Sequence, residues 1–296
     1  MIDAHTRLVL LFGHPVGHSR SPLMHNTAFR HQRINAVYLA ADVAPADLAA
    51  AVKGLQAIGG LGANVTIPHK QAMGALMDEL SPRARAVGAV NTVVCRPVER
   101  RERPRLFGDN TDVPGFLAPL TPHAGVLEGA EMLVFGAGGA ARAVVYALLS
   151  TYRPARLTLA ARRPEQAAAL AEDFAAYDDR GALAAVALAD AGPAVRTSRL
   201  LVNTTPLGMH PNRDGTPWPQ AADFQAGQIV YDLVYNPRET RLLREAAAHG
   251  ATPLGGLDML VEQAAASYVQ WTGRPMPTAI VRRRLQVLEG GAGRGA

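Results

Sequence analysis

The chain has 296 residues, 48% of them hydrophobic and 19% charged, with a formal net charge of +5. At ~100–200 residues per domain this suggests two globular domains, not a disordered or fibrous chain. No apolar run reaches the ~18 residues of a membrane span, no signal-type stretch opens the chain, and the single cysteine, Cys95, excludes an intrachain disulfide framework, so the cytoplasm is the expected compartment.

Residues 7–12 (RLVLLF) read as a buried strand ending at Gly13. Ser21-Pro22 then opens a helix, with the serine as cap and the proline at the first helical position. Residues 37–40 form a second strand, 45–58 an amphipathic helix, and 63–67 a third strand stopped by Pro68. After a further helix, 89–94 and 106–107 are strands joined by an Arg-rich loop with Arg96, Arg100, Arg101, Arg103 and Arg105. This loop carries no aromatic platform, so it reads as solvated surface and not as a nucleic-acid site. Strands alternating with helices indicate a mainly parallel α/β sheet.

A helix after Asp112 leads to a second unit. Its strands are 131–135, 156–160, 200–203 and 229–233, with Ala-rich helices between them, one at 164–176. Helices at 257–271 and 277–288 follow, and the tail from Gly290 reads as flexible. The expected architecture is two α/β domains flanking a cleft, the second a Rossmann-type dinucleotide-binding domain. Residues 1–112 plus 256–296 form the first and residues 113–255 the second.

Gly136-Ala137-Gly138-Gly139-Ala140-Ala141 has the spacing GxGxxA between a strand and a helix. The first glycine permits a tight turn, the second lets backbone approach a pyrophosphate, and the small third residue lets helix and strand pack closely. An NAD site places an acid at the end of the next strand, to hold the ribose 2′-hydroxyl. This chain has Ala161-Arg162-Arg163 there, which suits the 2′-phosphate of NADP.

Of the 30 basic residues only Lys53 and Lys70 are lysines, so 30 − 2 = 28 are arginines. In such a chain a retained lysine marks a place for a compact, deprotonatable ammonium. Lys70 follows the third strand in Asn64-Val65-Thr66-Ile67-Pro68-His69-Lys70, and Asp112 ends the turn-rich Gly108–Asp112. Spacing alone leaves two readings of this pair, a proton-transfer couple or a structural ion pair. Ser19 and Ser21 offer two hydroxyls near a helix start, either for an anion or for capping. His14 and His18 lie among Gly13, Pro15 and Gly17, not on a helix, and no metal site is expected.

These segments resemble the shikimate dehydrogenase family over nearly the whole chain. The motifs that carry the resemblance are Gly13–Pro22, Asn64–Lys70, Gly88–Thr92, Gly108–Asp112, Gly136–Arg142, Asn203–Met209 and Gly256–Ala264. It implies reversible, NADPH-dependent reduction of 3-dehydroshikimate to shikimate on the route to chorismate and the aromatic amino acids. It also implies that Lys70 and Asp112 are catalytic and that Ser19, Ser21, Thr66, Asn91, Tyr235 and Gln263 bind substrate. Gly136, Ala137, Gly138, Gly139, Ala140, Ala161, Arg162, Arg163, Thr204 and Gly256 would bind NADP(H). The family commonly reads Asn-Arg-Thr where this chain has Ala161-Arg162-Arg163, which retains the central guanidinium and changes its neighbours. Small-molecule ligands are the expected partners, with no nucleic acid or membrane, and a monomer or homodimer is expected. The competing readings are a quinate or dual quinate/shikimate dehydrogenase and a catalytically silent nucleotide-binding regulator.

Overall fold

The structure, a computed structural model, describes residues 2–98 and 103–292. Residues 99–102, within the expected Arg-rich loop, and 293–296, within the expected flexible tail, lie outside the described residues. The chain divides into two compact units, Met1–Thr111 with Val261–Ala296, and Asp112–Leu260.

The first unit begins with β1 (Arg7–Gly13), α1 (Ser21–His31), β2 (Ala36–Asp42), α2 (Leu48–Ala57) and β3 (Gly62–Val65). It continues with β4 (Glu79–Leu80), α3 (Pro82–Val87), β5 (Thr92–Arg96) and β6 (Arg105–Asp109). The strands form one sheet in the order β2-β1-β3-β5-β6-β4. The sheet is mainly parallel, as the sequence suggests, with one strand as the exception. β1 runs parallel to β2 and β3, and β4 to β6, but β5 is antiparallel to both its neighbours. β5 and β6 are consecutive in the chain and pair side by side, which makes these two run in opposite directions. The capping expectation at α1 changes. Arg20 is the cap position without a side-chain bond, and Ser21 is already helical. The Ser19 hydroxyl accepts the Ser21 N–H at 3.2 Å instead.

The second unit contains α4 (Asp112–Leu117), α5 (Ala124–Leu127), β7 (Glu131–Phe135), α6 (Gly139–Tyr152), β8 (Arg156–Ala161), α7 (Pro164–Phe174) and β9 (Leu183–Ala187). After these come α8 (Gly192–Thr197), β10 (Leu200–Asn203), β11 (Ile229–Asp232), α9 (Arg241–Ala248) and β12 (Thr252–Gly255). The sheet order β12-β11-β10-β7-β8-β9 is parallel throughout. Numbered within the unit it is the doubly wound order 3-2-1-4-5-6, whose ligand crevice lies beyond the carboxyl ends of the strands where the order reverses. Here that point is between β7 and β10. Both are buried along their apolar residues, as central parallel strands must be when helices cover both faces.

Three strands escape the sequence pattern, β4 (EL), β9 (LAAVA) and β12 (TPLG). All are edge strands; two residues are too short for a pattern, alanine gives little β signal, and Pro253 can do without a ladder N–H. α10 (Gly256–Thr272) passes from the second unit into the first, and α11 (Thr278–Ala292) runs four residues beyond the expected end at 288.

Candidate functional site

In the first unit the direction of β5 decides which residues meet. β1 and β3 are parallel, so their carboxyl ends, leading to Ser19 and to Thr66, share one sheet edge. Because β5 is antiparallel, its start lies at that same edge, with Asn64 opposite Thr92. β6 then returns its end there, with Asp109 opposite Thr92. A parallel β5 would carry Asn91 to the far edge.

Buried polar contacts tie this edge together. The Asn91 side-chain oxygen accepts the Thr111 N–H at 2.7 Å, the Thr111 hydroxyl at 3.1 Å and the Thr92 hydroxyl at 2.9 Å. These bonds hold its amide in a fixed orientation. Asn64 accepts from the Tyr38 hydroxyl at 2.9 Å and donates to Ser267 at 2.9 Å. The Ser267 hydroxyl also meets Thr92 at 2.8 Å and Thr111 at 3.0 Å, and donates to the Gln263 carbonyl at 3.1 Å. Asn91, just before β5, and the Gln263 carbonyl on α10 thus share one network with Asn64 of β3. Thr66 stands at the β3 end, its N–H donating to Phe12 O at 2.8 Å, and Ser21 lies near the Tyr38 phenol. Lys70 is half-buried and its carbonyl accepts the Val90 N–H at 2.8 Å. His69 is buried with a ring nitrogen 2.7 Å from Val43 O, so it holds the loop that presents Lys70.

Asp109 anchors the strand end before Asp112. Burial raises its pKa, but Arg83, paired with its carboxylate, and Ser81 outweigh that and hold it below the usual carboxylate value. Gln270 of α10 donates to the same group at 2.7 Å. Asp112 itself is buried and opens α4.

In the second unit the glycine turn after β7 has the shape a pyrophosphate needs. Gly136 sits at φ +102°, a backbone state that favours glycine, and a Cβ there would lie 2.7 Å from Thr204 Oγ1. Added side chains at Gly138 and Gly139 would meet nothing within 4 Å, and these two residues begin α6, so open space faces a helix N-terminus. Ala137 and Ala140 are part of the same half-exposed turn, and Ala141 packs fully buried. β8 ends at buried Ala161, and the exposed guanidiniums of Arg162 and Arg163 have no hydrogen-bond or ion-pair partner among the described residues.

Arg162 borders a groove of about 470 Å³ whose other walls are Ala187–Ala189 and Pro217–Gln220. Sequence reading missed these walls, because Trp218 lies in a loop without periodic signal and Ala187 ends the alanine-rich edge strand. The cradle, the helix start and the unpaired guanidiniums fit a dinucleotide phosphate set. Thr204 follows β10 and donates to Phe135 O at 2.7 Å. Tyr235 is half-buried in the loop after β11. Gly256 passes so close to Leu233 that a Cβ on it would stand 2.2 Å from the Leu233 carbonyl oxygen, and no side chain fits there.

Among the described residues no group of three His, Cys, Asp or Glu side chains could hold a metal ion, and no helix is long and apolar enough to cross a membrane. Cys95 is buried and its thiol is pushed up to about 11 by burial.

The family pattern described as shikimate dehydrogenase substrate binding domain matches residues 11–93, and that of the shikimate 5′-dehydrogenase C-terminal domain matches 256–286. The chain is 64% identical over 282 residues to the shikimate dehydrogenase (NADP(+)) of Salinibacter ruber, covering 95% of this chain and 97% of that one. A crystal structure of a shikimate dehydrogenase in complex with NADP+ superimposes with a TM-score of 0.87 at 36% identity, covering 96% of each chain. The quinate dehydrogenase of Corynebacterium glutamicum in complex with NAD superimposes with a TM-score of 0.86 at 31% identity, covering 95% of this chain and 99% of that one.

Proposed function

We infer the reaction from one premise: the chain belongs to the shikimate dehydrogenase family. It is an NADP-dependent oxidoreductase that reduces 3-dehydroshikimate reversibly to shikimate, a step of aromatic amino-acid biosynthesis. The observation that carries this reading is the 64% identity over 95% of the chain. The likeness to a quinate dehydrogenase is about half as strong in sequence, at 31%, and shikimate is the favoured ring acid. A silent nucleotide-binding regulator is disfavoured, because both Lys70 and Asp112 are retained.

Most of the groups for the ring acid come from the first unit, and those for NADP(H) from the second. Gly136–Ala140 and the start of α6 hold the pyrophosphate, and Arg162 and Arg163 pair with the 2′-phosphate beyond Ala161. Thr204 and Gly256 border the nicotinamide end. When bound, NADPH supplies the hydride. Lys70 holds its ammonium at the carbonyl oxygen, polarises it and donates the proton as that oxygen becomes a hydroxyl. In the oxidative direction the neutral amine takes the same proton back.

Asp112 orients and charges Lys70. Support for their partnership comes from the chain itself: Asp112 follows Thr111, which is bound twice to Asn91, and the neighbouring Val90 donates to the Lys70 carbonyl. Ser19 and Ser21 donate to the substrate carboxylate. Thr66, Asn91, Gln263 and Tyr235 bind the ring hydroxyls. The enzyme works in the cytoplasm, where NADPH is regenerated, as a monomer or homodimer without nucleic acid or membrane partners.

Spectrophotometric assay with shikimate and quinate, each with NADP and NAD, tests the reading. Turnover fastest with shikimate and NADP is expected. Quinate with NAD as the best pair would overturn the choice of substrate and of cofactor.

A further inference from the structure

Asp232 ends β11 and is fully buried, yet no cation is among its hydrogen-bond partners in the described residues. Its donors are the Asn203 amide at 2.9 Å, the Val234 N–H at 3.0 Å and the Thr240 hydroxyl at 2.6 Å. A buried carboxylate without a counter-ion is a costly device, so its retention calls for a role beyond packing. The partners point to one, because they lie on two different loops.

Asn203 leads the first loop. Its side-chain oxygen accepts both the N–H and the hydroxyl of Thr205, at 2.9 and 2.7 Å, while its nitrogen reaches Asp232 and the Leu207 carbonyl. The residue between, Thr204, presses on the glycine turn: its Oγ1 lies 2.7 Å from where a Cβ on Gly136 would stand. Val234 and Thr240 flank the second loop, which carries Tyr235, and the Val234 carbonyl accepts the Gly256 N–H at 3.3 Å. The two loops also meet through their backbones, His210 N–H to Asn236 O at 2.9 Å.

We propose that Asp232 is a positioning residue for the cofactor, clasping the 203–209 and 232–240 loops so that Thr204 stands over the phosphate turn and Tyr235 and Gly256 over the adjoining edge. The inference rests on the dehydrogenase reading and deepens it. Asp232 touches neither ligand; it acts through Asn203 and Thr240. An ionised carboxylate accepts from three donors at once and can offer no proton, which fixes the direction of every bond in the clasp. Misplacing reacting groups by about an ångström costs up to ~100-fold in rate, so a clasp of this kind is felt in kcat as well as in binding.

The test uses the full chain with Asp232→Ala, Asp232→Asn, Asn203→Ala and, as a stability control, Leu242→Ala, a cavity variant in the buried face of α9. NADPH affinity is read by fluorescence titration without shikimate, turnover by steady-state kinetics and stability by thermal melting. Asp232→Ala is expected to weaken NADPH on the order of ten-fold and to lower kcat ten- to a hundred-fold. Asp232→Asn should recover most of both, since its amide oxygen still accepts from Asn203 and Val234. Leu242→Ala should lower the melting temperature while keeping NADPH affinity and kcat.

Wild-type affinity and kcat in Asp232→Ala, with a melting loss like that of Leu242→Ala, overturns the inference. Should Asp232→Ala not fold, Asn203→Ala opens the clasp from the other side. The same ten-fold loss then supports the inference, and wild-type affinity overturns it. A wild-type chain that binds no NADPH, or turns over no shikimate, overturns the dehydrogenase reading and this inference together. A working wild-type enzyme with indifferent variants removes this inference alone.

Discussion

In the first unit Asn91, assigned to the ring substrate, is a side chain braced from behind. It is held by Thr92 and Thr111, in a network where Ser267 binds Asn64 and the Gln263 carbonyl. In the second unit the groups assigned to NADP(H) are mostly backbone at an open turn, Gly136 to Gly139, with two exposed arginines that nothing braces. A small ring with several hydroxyls is distinguished by donors and acceptors at fixed places, which demands rigid side chains. A dinucleotide is long and carries its charge on phosphates, so a helix start, space and mobile guanidiniums suffice.

The largest separation of the two regions is expected from Lys70→Ala. It should lower kcat by ~10²–10⁴-fold, as for loss of a general acid/base, and leave NADPH affinity unchanged. Near wild-type turnover in the folded variant would take Lys70 out of the chemistry. Arg162→Ala should break only the cofactor side. A lost charged hydrogen bond of ~1.5–3 kcal/mol corresponds to roughly ten- to a hundred-fold weaker NADP, with NAD affinity and shikimate KM unchanged. Equal losses for both cofactors would show that Arg162 does not read the 2′-phosphate.

The double variant Ser19→Ala/Ser21→Ala should break only the substrate side. Losing carboxylate donors costs roughly 1–3 kcal/mol, read as a higher KM for shikimate at unchanged NADPH affinity. Unchanged KM with a lower melting temperature would return both serines to a structural role at the start of α1.

A last separation lies in stability against pH, where the units carry groups of opposite sign. His25 in the first unit is fully buried, stacked 4.5 Å from Tyr38, with no hydrogen-bond partner for either ring nitrogen. Burial lowers its pKa from 6.5 to about 3, the nearby Asn64 amide opposing only part of the shift. The unfolded chain therefore takes up this proton first, and stability falls as pH drops from 6.5 toward 3.

Asp232 in the second unit is raised from 3.8 to about 6, burial outweighing its three donors. Here the folded chain takes up the proton first, so acidification from pH 6 toward 4 adds stability, and the cost of the bare carboxylate is complete above pH 6. Each group contributes at most ~1.4 kcal/mol per pH unit. Thermal melting from pH 4 to 7 should show His25→Phe losing part of the acid destabilisation and Asp232→Asn losing part of the acid gain. Parallel curves for wild type and both variants would refute the assignment of these two groups.

Local signals carried much of the architecture. Met132–Phe135 is a run of apolar side chains ending at a glycine that needs φ +102°, and both facts are written in neighbouring residues. The turn, the helix after it and the arginines beyond β8 follow from that stretch of chain, as does the fit to a phosphorylated dinucleotide. The retained Lys70 stands out by composition alone.

Tertiary structure decided what depended on partners far along the chain. The antiparallel course of β5 brings Asn91 to the edge where β1 and β3 end, and no residue of β5 announces its direction, because the same alternating side chains serve either pairing. Ser267 lies 203 residues from Asn64 and becomes the hub of the buried network only when α10 packs there. Asp232 reads in sequence as the polar end of a strand. Burial and three donors from two loops make it a clasp, since desolvation and hydrogen bonding belong to the surroundings of a side chain and not to its identity.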